Sequence, residues 1–186
     1  LHCYPDTTVS PLYMALALKG VVCEANNATI AACDVVFEGG KVQLSDDLVV
    51  GLPAYGKATV RLDRGVQCSV TNALRMGFAA GSTGEVVNIN GELRHEGLTN
   101  ACSIGKAGSG IFLIQGGTTV IAHSPTIGAD STGVGHMTVS GGSNTFGTVP
   151  GDRIHVGDLG AGTLLAGGGT NVTVAISIGS SAGGVG

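Results

Sequence analysis

Asp46, Asp47, Asp63, Asp130, Asp152 and Asp158 are the acids with which this 186-residue chain could bind a cation or move a proton. Asp130 and Asp158 stand two and one residues after Gly128 and Gly157, two glycines that recur at a regular interval. If that interval is one turn of a coil, both carboxylates fall in one row of loops on adjacent turns, as a carboxylate pair or an ion site. Asp is also favoured in turns for its own backbone hydrogen bonding, and two solvated turn residues is the preferred reading. No catalytic, cofactor-binding or metal-ligating residue is assigned, and no cofactor and no enzymatic activity are expected.

The other reactive side chains are scattered. His95, His123, His136 and His155 fall at different offsets within the repeat and are not expected to converge on a metal. Cys3, Cys23, Cys33, Cys68 and Cys102 contain no C-x-x-C pair, so a zinc site is unsupported. Three of them precede or open the repeat, where a disulfide would replace missing core, and five cysteines leave an odd thiol. Buried reduced thiols are the other reading. No Ser-His-Asp or Cys-His arrangement is legible from spacing. Phosphate-loop and dinucleotide motifs fail because the glycines recur throughout and no helix follows them. Thr118, Thr119, Thr138, Thr163 and Thr173 invite an ice-binding ladder but share no common offset. Asn27 and Asn171 begin N-x-T triplets, the form of a glycosylation acceptor.

What must position all of these is a repeat. GIFLIQGG at 110–117, GHMTVSGG at 135–142 and GTLLAGGG at 162–169 each read glycine, alternating apolar residues, then glycines. Phe112 and Ile114, Met137 and Val139, and Leu164 and Ala166 share one face of a strand by period-two alternation. The last glycine of the turn falls at 40, 65, 91, 117, 142 and 169, at intervals of 25 to 27. A second landmark, an apolar residue followed by glycine, closes at Gly51, Gly77, Gly105, Gly128, Gly157 and Gly179. Two landmark series with one period are the signature of a solenoid. About 25 residues divide into three short strands and their turns, stacked ~4.8 Å apart, which predicts a rod of roughly six rungs and 25–30 Å.

The chain is thus read as all-β, a parallel β-helix over residues 33–186, with residues 1–32 as an N-terminal cap or assembly segment. A short helix from Ser10 with Pro11 at its first position competes there with a strand through Met14, Leu16 and Leu18. Position 28, where an anchor glycine is due, is Ala28, so the first rung is expected to lack its opening strand. Two turns should deviate. The second, at Asp63 to Gly65, is longer, and in the third Asn90 is expected to take the left-handed region in place of a glycine. The last rung reads as an opening only, Ile176 to Gly179, with Gly186 seven after its anchor as Gly135 is seven after Gly128.

Composition narrows the class. Glycine is 33 residues, far above the usual ~7%, but it alternates with apolar residues and not in Gly-X-Y triplets. Charged residues are 12% and the net charge is −4. No basic run or aromatic ladder suggests nucleic-acid binding. No apolar run reaches the ~18–20 residues of a membrane-spanning helix. The chain opens on Leu1 rather than Met, which points to a processed or partial chain and favours export.

The pattern is best seen in CSIGKAGSGIFLIQGG at 102–117 and IHVGDLGAGTLLAGG at 154–168. It resembles the short repeats of bacterial autotransporter passengers and related surface β-helix proteins. The resemblance covers about residues 33–186. It implies an extracellular or cell-surface location and adhesin, surface-layer or fibre roles. Some related β-helices degrade polysaccharides, with clustered Asp, Ca2+ and an Arg or Lys base. Unlike autotransporters, this sequence carries a cysteine-bearing head and no membrane-barrel domain.

The first expectation is therefore a structural subunit of a surface filament. Copies would join head to tail through Cys33, Val35 and Phe37 at one end and Ile176, Ile178, Gly179 and Gly186 at the other. Open strand edges over an apolar core are templates for strand addition. A monomeric adhesin that binds surface glycans is the alternative, and a polysaccharide lyase or hydrolase comes third.

Overall fold

The computed structural model describes residues 7–9, 15–31, 33–53, 56–97, 101–179 and 181–186. Among them every regular element is a strand, and every strand pairing is parallel. In chain order they are β1 (Thr7–Val9) and β2 (Ala15–Ala25); β3 (Ala28–Ile30) and β4 (Asp34–Leu44); β5 (Leu48–Val50), β6 (Lys57–Asp63) and β7 (Gln67–Val70); β8 (Leu74–Met76), β9 (Thr83–Asn88) and β10 (Glu92–His95); β11 (Cys102–Ile104), β12 (Ser109–Ile114) and β13 (Thr118–Ile121); β14 (Thr126–Ile127), β15 (Val134–Val139) and β16 (Ser143–Phe146); β17 (Ile154–Val156), β18 (Ala161–Ala166) and β19 (Thr170–Thr173); and β20 (Ile176–Ile178).

These stack into three walls of a β-solenoid. Wall A is β1-β3-β5-β8-β11-β14-β17-β20. Wall B is the first half of β2 and of β4, then β6, β9, β12, β15 and β18. Wall C is the second half of β2 and of β4, then β7, β10, β13, β16 and β19. Along wall B, Asp34 pairs with Thr59, Lys57 with Thr83, Thr83 with Ser109, Ser109 with Val134 and Val134 with Ala161. These pairings define five turns of 25 to 27 residues. The first turn is shorter, since Ala15 pairs with Asp34, 19 residues on.

Alternation sets the interior. Phe112 and Ile114 of β12 are fully buried, as are Met137 and Val139 of β15, while Ile111, Leu113 and His136 face outward. The core runs unbroken along the axis, from Cys23 and Ile30 through Leu62, Met76 and Ile104 to Ile154 and Val156. Burial at roughly 25 cal/mol per Å2 of apolar surface is the main stabilising contribution.

Each of β5, β8, β11, β14, β17 and β20 ends directly before a glycine of the second landmark series. Those glycines turn the chain from wall A to wall B with φ between +60° and +86°. They also lie against the next turn: a Cβ on Gly105 would overlap the carbonyl of Val134, and one on Gly128 that of Ala161. Both the dihedral and the close approach exclude a side chain there.

Two expectations about the turns need correcting, and a third, that the second turn deviates, holds. The first full rung does have its opening strand, because β3 pairs with β5 and sets Ile30 opposite Val50. Its anchor position is therefore residue 31, an alanine. Only three residues link β3 to β4, against six between β5 and β6, so no glycine turn is made. Asn90 does not adopt the left-handed region, since Arg64 is the one non-glycine with positive φ among the described residues. The third turn is closed instead by Asn88, whose Oδ1 accepts the Gly91 N–H at 2.9 Å. In the second turn Arg64 (φ 52°) takes the role of a glycine, its N–H donating to Asp63 Oδ1 at 2.7 Å.

The region before residue 33 also differs from expectation. β2 adds to β4 over its whole length, so parallel stacking begins ahead of residue 33. Ser10, Pro11 and Met14 lie outside the described residues. Of the two readings offered there, the strand holds for Leu16 and Leu18, which belong to β2.

Candidate assembly surface

The residues with chemical potential do not converge. Pairing of β14 with β17 puts Gly128 level with Gly157, hence Ala129 level with Asp158 and Asp130 level with Leu159. Asp130 and Asp158 are thus one row apart and not in one row as expected. Asp158 Oδ1 accepts the Ser181 hydroxyl of the next turn at 2.7 Å. Among the described residues no group of three or more His, Cys, Asp or Glu side chains is placed to hold a metal ion.

Asp46, Asp47 and Asp152 staple neighbouring turns at the corner between walls C and A. Asp47 Oδ1 accepts from Asn72 Nδ2 at 2.8 Å and from the Ala73 N–H at 3.1 Å, and its Oδ2 from Arg75 at 2.8 Å. Asp46 accepts a second Asn72 proton at 2.7 Å. Farther along, Asp152 accepts from the Thr148 and Val149 N–H groups at 3.1 Å and faces His123 Nδ1 at 3.6 Å. Burial would raise the Asp152 pKa, but the Val149 and Thr148 amides, His123 and Ser124 outweigh it and hold the carboxyl below its ordinary value. Asp63 is consumed by the Arg64 turn. These carboxylates are committed to the scaffold, a use that spacing alone does not reveal.

The histidines separate as expected. His136 faces out from wall B and His155 from wall A, while His95 points into the core and is 1% exposed. His95 Nε2–H donates to the Asn72 carbonyl at 2.9 Å, and Nδ1 is buried without a partner. Burial pushes its pKa down to about 4, only partly offset by the Asn72 carbonyl. The imidazole is a neutral core residue at pH 7.

Cys68 and Cys102 carry free, buried thiols, and Cys33 is buried as well. Burial pushes Cys68 and Cys102 up to about 12, so neither is a nucleophile at neutral pH. The disulfide expectation is therefore corrected for these two: each projects into the apolar interior as a small hydrophobe. Cys23 is also buried, and Cys3 lies outside the described residues. Asn171 points inward from β19, level with the buried Asn144, whose Nδ2 donates to Asn171 Oδ1 at 2.9 Å. Its own Nδ2 donates to the Gly168 carbonyl at 2.9 Å, and the residue is exposed. Asn27 Oδ1 accepts the Asp47 N–H at 3.1 Å. Thr119 faces inward and Thr118 outward on wall C, with Thr138 and Thr163 on wall B, so no threonine ladder forms.

The assembly residues divide. Cys33, Val35 and Phe37 sit at or in β4 beneath β2, with Leu16 level with Val35 and Leu18 with Phe37; Cys33 and Val35 are buried and Phe37 partly buried, so they are not an end face. Ile176 and Ile178 behave differently. They continue the inward rows of Ile154 and Val156, which are 2% and 3% exposed, yet are themselves 50% and 67% exposed. Among the described residues, β18, β19 and β20 are the outermost strands at this end. Val185 bridges to Ala161 and sets Gly186 level with Gly162, next to Gly179. Leu165 and Val172 add exposed apolar surface close by. Residue spacing pointed to Ile176 and Ile178; it did not reveal that β18 and β19 share the open face, because an inward strand reads the same whether or not another covers it.

Two shallow depressions of about 510 and 320 Å3 lie side by side on the outer face of wall C. Gln43, Ser69 and Thr71 line both, with Glu24 in the first and Glu92 and Arg94 in the second.

No family model matches the chain, and no curated protein or solved structure is significantly similar to it. The β-solenoid architecture stands on the strand pairing. The described residues include no helix long and apolar enough to cross a membrane.

Proposed function

We propose that this protein is a structural subunit of an extracellular or cell-surface filament, extended head to tail by strand addition at the β18–β19–β20 face. One observation carries the reading: Ile176 and Ile178, in rows that are buried from β5 to β17, are half to two-thirds exposed. Such a face couples unsatisfied strand edges to uncovered apolar side chains, the arrangement that recruits another strand. A heterologous contact of this kind propagates as a fibre unless rotation closes it into a ring. The location outside the cell rests on the likeness of the glycine repeat to surface β-helices. The wall C depressions contain no aromatic face on which a sugar would stack, and they lack the apolar lining of most ligand sites.

Negative-stain electron microscopy of the purified chain over a concentration series tests this reading. Rods that lengthen with concentration are expected. Particles of one size throughout would overturn it.

A further inference from the structure

The register fixes how two copies would fit. Wall A holds eight strands, whereas walls B and C hold seven each. The β18–β19–β20 end is therefore a step, with β20 one strand beyond its neighbours. If a second copy stacked on it with β1 in place, β20 would meet β1 and walls B and C would be left with a gap one strand wide, ~4.8 Å.

The rows offer a second arrangement. Followed through successive pairings in wall B, Ala15 lies in the row of Thr163. Followed through wall C, Val22 lies in the row of Thr170. Both are offsets of 148 residues, so the eleven residues of β2 are level, one for one, with residues 163–173. The rows of Ala161 and Gly162 are already taken by Val185 and Gly186. In wall A, Ile176 and Ile178 share the rows of Thr7 and Val9, opposite Ala28 and Ile30.

We infer that, given the head-to-tail reading above, the joint is a strand exchange: β20 of one copy takes the place of β1 against β3 of the next, while that copy's β2 lies on β18 and β19. Every wall is then continuous. Ile176 and Ile178 fill positions that Thr7 and Val9 hold within one copy, so the exchange puts larger apolar residues over Ala28 and Ile30. The joint is directional, because only one end carries the step.

Pairwise crosslinking tests the register. Ser177→Cys with Thr29→Cys would stand opposite each other only across an exchanged joint; Ser177→Cys with Thr8→Cys would do so only if β1 stayed in place. The native Cys33, Cys68 and Cys102 are buried, away from the reagent. With a short bismaleimide on native protein, the 177/29 pair is expected to give a ladder of covalent oligomers and the 177/8 pair none. Rods that crosslink through 177/8 and not 177/29 would overturn the exchange and leave the filament reading intact. Particles of one size with neither crosslink would overturn both.

Discussion

Ile154 and Ile176 are the same residue in the same inward row of the same wall, yet one is 2% and the other 50% exposed. Nothing in their local sequence separates them: IHV and ISI are equally good strands. The difference is what lies on the next turn. A solenoid interior is a sum of nearest-neighbour contacts, so an identical residue is core or adhesive surface according to its place along the axis. The contrast in burial is thus set by position along the axis and not by residue type.

Several substitutions sharpen that contrast. The largest effect is expected from Gly105→Ala set against Gly179→Ala. Both glycines have positive φ, but only at Gly105 would the new Cβ overlap the neighbouring turn's carbonyl. Gly105→Ala should cost about 4 kcal/mol or more, and Gly179→Ala only about 1 kcal/mol, read as midpoints in urea. Phe112→Ala, at a fully buried position, should cost about 3–5 kcal/mol. Ile178→Ala should leave the stability of the dilute chain within about 1 kcal/mol, because its side chain is already largely in water. Equal losses at 112 and 178 would show that the end is covered within one molecule.

Acid should act on the interior. The folded-state pKa of His95 lies at about 4, below its unfolded value of 6.5. The unfolded chain therefore binds the extra proton first, and stability falls as pH drops from about 6.5 to 4. The loss attributable to His95 is about 3 kcal/mol at the bottom of that window and nil above it. His95→Leu, in the inward row of Val70 and Ile121, should flatten that part of the profile; an unchanged slope would clear His95 of the effect. The smallest change is expected at Arg64→Gly, within about 1 kcal/mol. Relief of the left-handed backbone is set against a glycine's extra chain entropy and a surface ion pair with Glu38 at 3.4 Å.

Much of this architecture was legible from the glycines, and the reason is mechanical. The turn from wall A to wall B needs positive φ and a bare Cα at Gly77, Gly105, Gly128 and Gly157, so it writes itself into the sequence at every rung. Where the backbone asks for no glycine, the signal fails. β3 opens the first full rung through a three-residue link and carries no marker. The corner from wall C to wall A is closed by side chains, through Asp47 with Asn72 and Asp152 with Thr148, and its links vary from two to seven residues. Its acids look like candidate chemistry for that reason. Asn88 replaces a glycine turn through its side-chain amide, a role indistinguishable in sequence from that of any polar residue beside a strand. At the proposed joint, Ile176 and Ile178 were legible as an unfinished rung. Burial of Cys33, Val35 and Phe37 under β2 was not, since β2 pairs through the backbone and lacks the glycine landmarks.

Sedimentation velocity of the wild type beside Ile178→Asp, over a wide concentration range, tests the account most directly. The wild type should shift steadily to larger species as concentration rises, while Ile178→Asp, with a charge on the exposed inward row, stays a single slow species at every concentration. A wild type that sediments as one small species throughout, or an Ile178→Asp chain that assembles as readily, would contradict it.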